Sequence, residues 1–148
     1  MRFLLRRILP LLVVLLAVMQ LFRGARTNPP VDPARAIDAT LGDVPAVGAI
    51  LERSCNDCHS HRSLWPWYSK VAPVSWLVVH DVNEGRQELN FSEWARYSPP
   101  EKQKLLGKIC EEVSKGEMPG APYALLHPNS RLTGADVQTL CSWTKAAR

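Results

Sequence analysis

Cys55-Asn56-Asp57-Cys58-His59 places two thiols and an imidazole at the spacing used for c-type haem attachment. Two cysteines three apart lie on one side of a helical turn, so each can form a thioether to one vinyl group. His59, immediately after, is then held at the iron through a neutral imidazole nitrogen, its ring oriented by a hydrogen bond from the other nitrogen to a backbone carbonyl. Two rivals use the same letters. A thioredoxin-like redox pair wants alternating strands and helices around it, and a structural zinc site wants a second ligand pair, for which only the widely spaced Cys110 and Cys141 remain.

Upstream, Arg2, Arg6 and Arg7 precede an apolar run of 15 residues from Ile8 to Phe22. A charged region followed by an apolar one is an export signal. The run is short of the roughly 20 residues that span a bilayer comfortably, although residues 3–5 and snorkelling arginines extend it. The segment 18–23 offers no small-x-small cleavage site, which favours an uncleaved anchor over residues 1–26, with the positive flank inside and the domain outside. Its prolines, Pro29, Pro30 and Pro33, make residues 27–41 a linker, its first part an extended stalk that lifts the domain off the membrane.

The formal charge of +4 dissolves on inspection. Five of the 18 basic residues are arginines at or before position 26, leaving 13 against 14 acidic residues in the exported part. Nucleic-acid binding has no support. The remainder, residues 42–148, is one domain by size, with enough apolar and aromatic content to wrap a haem.

Periodicity makes that domain all-α. Residues 43–54 open with Asp43 as cap and a proline in the first turn, then place Val44, Val47, Ile50 and Leu51 on one face. This helix delivers the haem motif. Residues 60–73, with Trp65, Pro66, Trp67 and Tyr68 in succession, read as an ordered loop that covers the haem edge and builds core. Residues 75–89 read as a helix capped by Ser75, with Trp76, Val79, Asn83 and Arg86 on one side. Gly85 weakens it by roughly 1 kcal/mol relative to alanine. Residues 91–97 make an aromatic connection around Trp94. Ser98-Pro99-Pro100-Glu101 is a capping box before a helix burying Leu105, Leu106, Ile109, Cys110 and Val113, with Gly116 as its stop. Residues 133–145 form the last helix, opened by Thr133 and Asp136, with Val137, Leu140, Cys141 and Thr144 on one face.

Between the last two helices, Glu117-Met118-Pro119-Gly120 carries the only methionine beyond the leader. A thioether is a soft, neutral donor suited to iron, and methionine opposite histidine raises the reduction potential, so Met118 is the candidate distal ligand. His80 and His127 are the other candidates, giving bis-histidine ligation. His61 is too near His59 to reach the opposite face. Cys110 and Cys141 leave two readings open: a disulfide, plausible in an oxidising compartment, or two small buried thiols.

These residues together resemble the small, membrane-tethered haem-binding domain family related to class I c-type cytochromes. The resemblance runs from Cys55 to Ser60 through the Trp65-Pro66-Trp67-Tyr68-Ser69 block, Pro73-Val74-Ser75-Trp76, Gly85-Arg86 and Leu89-Asn90-Phe91-Ser92-Glu93-Trp94. It continues in Met118-Pro119, Tyr123, His127-Pro128 and Trp143. It implies an all-helical, class I cytochrome c-like domain with one covalent haem c. Cys110 and Cys141 lie outside its pattern.

The resulting expectation is a single-haem electron carrier, not an enzyme. It is anchored as a single-pass protein in the cytoplasmic membrane with the haem domain facing the periplasm, and exchanges electrons with another redox protein. The alternative is a haem-based sensor or peroxidase-like enzyme with an open or weakly held distal site, using a group such as His80 as distal acid and base.

Overall fold

The computed structural model describes residues 2–41 and 44–147, with side chains from Arg6 onward. Among these residues there are helices and turns and no strand. Eight α-helices follow in order: α1 (Arg2–Met19), α2 (Asp38–Leu41), α3 (Pro45–Ser54), α4 (Asn56–His59), α5 (Val74–Glu88), α6 (Pro99–Lys115), α7 (Ala121–Leu126) and α8 (Gly134–Ala146). Tight 3-10 turns occupy Trp67–Lys70, Phe91–Arg96 and Pro128–Ser130.

The core is built where the apolar periodicity put it. Val47, Ile50 and Leu51 of α3, Leu106, Ile109 and Val113 of α6, and Leu140 of α8 are buried together with Phe91 and Trp94 of the aromatic connection. α6 packs on α8, and α3 touches both α4 and α8. Val44 is exposed, and Asp43, the expected cap of α3, lies outside the described residues. α6 begins as expected, with the Glu101 carboxylate accepting from the Ser98 N–H at 2.7 Å, and ends at Gly116 in the left-handed region at φ 73°. Thr133 caps α8, accepting from the Asp136 N–H at 3.2 Å while the Asp136 carboxylate accepts from the Thr133 N–H at 2.8 Å. Cys110 and Cys141 are joined by a disulfide with their Cα atoms 4.8 Å apart, tying α6 to α8.

Three expectations need correction. The stretch 27–41 is a linker only in its first part: Ala36, Ile37 and Leu41 are buried, and the Ile37 N–H donates to Phe91 O at 2.8 Å. Nor does the extended part stand free as a stalk. Arg26 donates to Ser69 O, the Asn28 amide to Ser63 O at 2.8 Å, and Trp65 Nε1 to Asn28 Oδ1. The buried face of α5 is Ser75, Val79, Val82 and Gly85, while Trp76 and Asn83 are exposed. Small residues let this helix come close to its neighbour, and that decides its rotation more than the large side chains do. In the 60–73 loop, Trp67 is 75% exposed, and none of Trp65, Trp67 and Tyr68 joins the core.

α1 shows its apolar side chains, from Ile8 to Val18, to the outside on every side. Three arginines occupy its first turns. No helix among the described residues is long and apolar enough to cross a membrane.

Candidate functional site

The chain bends at Cys55, whose φ of −129° closes α3 and opens α4. The Cys58 and His59 N–H groups both donate to Cys55 O, at 3.2 and 3.0 Å, so the motif is a single helical turn. α5 lies directly against this turn. A Cβ on Gly85 would stand 2.7 Å from Cys58 O, closer than a side chain tolerates, so glycine is required for the approach.

The approach orients His59. Its Nδ1 lies 2.9 Å from Gly85 O and 3.1 Å from Leu89 O. Carbonyls only accept, so Nδ1 carries the proton and Nε2 presents its lone pair. Burial holds the imidazole pKa below its ordinary value and favours the neutral ring. The Phe91 ring packs against it in a T-shaped contact, 6.2 Å between centroids. Burial likewise pushes the Cys55 thiol up to about 12 and Cys58 to about 11. Both stay protonated, the opposite of the lowered thiol that a disulfide oxidoreductase uses.

Cys55, Cys58, His59 and Met118 line one cavity of about 510 Å³, within the range of roughly 300–1,000 Å³ common for cofactor sites. Leu105, Ile109 and Val113 of α6 line it as well, while Asp81, Glu84, Glu88 and Glu112 provide its acidic lining groups beside Lys108. Glu88 and Lys108 form an ion pair. The donor set fits a haem: two adjacent neutral thiols, an imidazole with its free nitrogen available, a thioether from a different part of the chain, and apolar walls.

The other candidate histidines are not cavity-lining. His80 has a side chain 69% exposed and pairs with Glu84 at 3.5 Å, so the acid and base imagined for a peroxidase-like site is not in this cavity. His127 uses both nitrogens elsewhere: Nδ1 donates to Tyr123 O at 3.1 Å and Nε2 accepts from the Tyr68 hydroxyl at 3.0 Å. His61 Nε2 accepts from the Asn90 amide at 2.9 Å.

Several supporting residues were not derivable from spacing. Asp57, between the two cysteines of the motif, accepts from the Tyr123 hydroxyl at 2.7 Å and from the Leu64 N–H at 2.8 Å. Burial and this bond raise the Tyr123 pKa, keeping it a phenol that donates. Tyr123 also stacks on His127 at 4.1 Å between ring centroids. A chain of contacts thus links Tyr68, His127, Tyr123 and Asp57 and anchors α7 to the cysteine turn. Arg86 donates to Ser60 O at 2.7 Å and to Thr27 O, Asn28 Oδ1 and Ser63 Oγ at 2.9 Å each, locking the N-terminal segment onto the loop after His59.

A family model described as a haem-binding domain matches residues 14–146. No curated protein and no solved structure matches the chain.

Proposed function

The chain belongs to the haem-binding domain family, and on that premise we propose that it is a c-type haem protein that transfers single electrons. Cys55 and Cys58 would hold the porphyrin through thioether bonds to its side groups. His59 ligates through Nε2 and Met118 through its sulfur, the thioether favouring a high potential. The bound haem supplies a reversible one-electron couple. Around that couple the chain supplies order and an apolar wall: Gly85 O and Leu89 O fix the imidazole, and Leu105, Ile109 and Val113 of α6 line the cavity. With His59 and Met118 both holding the iron, the bound haem would leave no position for a substrate, and the partner would be another redox protein meeting the domain through a small transient contact.

The observation that carries this reading is the cavity that gathers Cys55, Cys58 and Met118 around an imidazole whose Nδ1 is committed to backbone carbonyls. The apolar, outward-facing side chains of α1 support insertion in a membrane, and we propose a single-pass, uncleaved anchor in the cytoplasmic membrane with Arg2, Arg6 and Arg7 inside and the domain in the periplasm. The test is the oxidised absorption spectrum of exported protein. The weak far-red band of iron bound to methionine sulfur is expected, and it disappears in Met118→Ala. A haem spectrum that lacks the band in the parent chain, or keeps it in Met118→Ala, refutes this ligand assignment. Peroxidase turnover undiminished in Met118→Ala would favour the open-site alternative.

A further inference from the structure

A second feature lies at the opposite end of α5 from the haem motif. Gln20, one residue beyond α1, clamps the backbone of Ala72 from both directions, its amide donating to Ala72 O at 3.1 Å and its Oε1 accepting from the Ala72 N–H at 3.0 Å. Arg23 donates to Lys70 O at 3.1 Å, and Trp76 Nε1 donates to Phe22 O. Gly24 packs so closely on Val79 that a Cβ there would meet its side chain at 2.8 Å. The segment that follows α1 is therefore bonded to the domain at Gln20, Phe22 and Arg23.

Around this junction the domain exposes Phe22 (69%), Trp67 (75%), Val71 (44%), Val74 (43%), Trp76 (40%) and Leu77 (55%). Five of the six fall between Trp67 and Leu77, and Trp76 bonds the backbone of Phe22, so they gather beside the junction, and apolar side chains exposed together mark a surface that is covered in use. Its composition, tryptophans and aliphatics beside Arg23, Arg26 and Lys70, is that of the headgroup level of a bilayer, where amphipathic rings and cations are enriched.

The length of α1 makes the same demand. Its charge-free part, Ile8–Met19, is 12 residues and reaches about 18 Å, and all 18 residues of α1 with the snorkelling arginines reach about 27 Å, against a hydrocarbon core of about 30 Å. A helix that short, fixed to its domain at Gln20, pulls the domain down onto the lipid.

We infer that these residues form a collar seated in the membrane interface, its occupant a lipid bilayer surface, so that the haem domain is held in one orientation on the membrane. The inference rests on the anchoring reading above. The collar occupies the first turns of α5, whereas the haem cavity begins further along it at Asp81, Glu84 and Gly85. From Val74 to Gly85 the helix rises about 16 Å. The cavity is thereby kept within about that distance of the lipid, which selects a partner whose own redox centre lies close to the membrane surface.

The test places a nitroxide label on Val74→Cys and on Leu77→Cys, with Lys145→Cys at an exposed position of α8 as control and the parent chain giving the background from any Cys55 or Cys58 thiol not bonded to haem. All are full chains in vesicles of phosphatidylethanolamine and phosphatidylglycerol, with far-UV circular dichroism matching the parent. Labels at 74 and 77 are expected to be several-fold less accessible to a water-soluble nickel chelate than the label at 145, and more accessible to oxygen. If they are nickel-accessible while the protein floats with the vesicles, the domain stands off the bilayer, which overturns the collar and leaves the anchor intact. If they are shielded from both reagents and show spin-spin broadening, a second copy covers the patch and the proposal fails. If the protein does not float with the vesicles, the anchoring reading fails and the collar with it.

Discussion

Replacing Gly85 by alanine separates two physical effects of opposite sign. In an ordinary helix interior the change is stabilising by about 1 kcal/mol, because alanine loses less backbone freedom on folding. At position 85 the new Cβ lies 2.7 Å from Cys58 O, 3.1 Å from its carbonyl carbon and 3.2 Å from its Cβ. These are mainly backbone atoms of the cysteine turn, so either α5 or the turn must retreat by several tenths of an ångström. Overpacking of this kind costs about 1–3 kcal/mol. The same retreat lengthens the His59 Nδ1 bond to Gly85 O, now 2.9 Å, and forfeits part of a further ~1 kcal/mol. The net expectation is a loss of about 2 kcal/mol, a fall in Tm of roughly 8 °C for a domain of this size. Gly48 is the internal control, since a Cβ there meets nothing closer than Leu41 Cδ1 at 3.6 Å. Gly48→Ala in α3 is expected to raise stability by up to about 1 kcal/mol. The assay is thermal unfolding of parent and variants in the same haem state, followed by far-UV circular dichroism. Equal stabilisation by both alanines would refute the idea that close approach at Gly85 positions the haem motif.

Arg86→Lys removes the fork that serves four acceptors, and a single ammonium cannot replace it. A loss of about 2–3 kcal/mol in urea unfolding and faster proteolysis within residues 22–33 are expected. Asp136 has its pKa lowered by hydrogen bonds from Thr133 and by Arg53, so its stabilising contribution is present above the ordinary carboxylate value of 3.8 and is lost as pH falls through the lower folded value. Asp136→Asn should therefore cost about 1 kcal/mol at pH 7, with the difference from the parent vanishing in urea melts below that range. Cys110→Ser with Cys141→Ser opens a crosslink across 31 residues and should lower stability by about 3–4 kcal/mol while leaving the haem spectrum unchanged.

The helices that bury a strong apolar stripe, α3, α6 and α8, were legible from periodicity and caps because burial and capping act locally. α5 was legible as a helix but not in its rotation. Trp76 and Arg86 dominate its pattern, whereas small Ser75 and Gly85 face the interior because a neighbouring backbone needs the space. α7 is only six residues long and buries none of them, so no stripe announced it. Residues 36–41 escaped for a related reason: two apolar side chains, Ile37 and Leu41, carry the contact, too few to show a period. At the site, Cys55, Cys58 and His59 stood out by their spacing, and the structure places them with Met118 on one cavity. The carbonyls that orient His59, at Gly85 and Leu89, and the Tyr123 to Asp57 bond depend on tertiary approach and left no mark in local sequence.

Covalent haem at Cys55 and Cys58 is the centre of the account, and the intact mass of the exported chain under denaturing conditions measures it directly. The expected mass is that of the polypeptide plus one haem, with attachment lost when both cysteines are replaced by alanine. A chain whose haem dissociates on denaturation, or one that carries no haem, would contradict it.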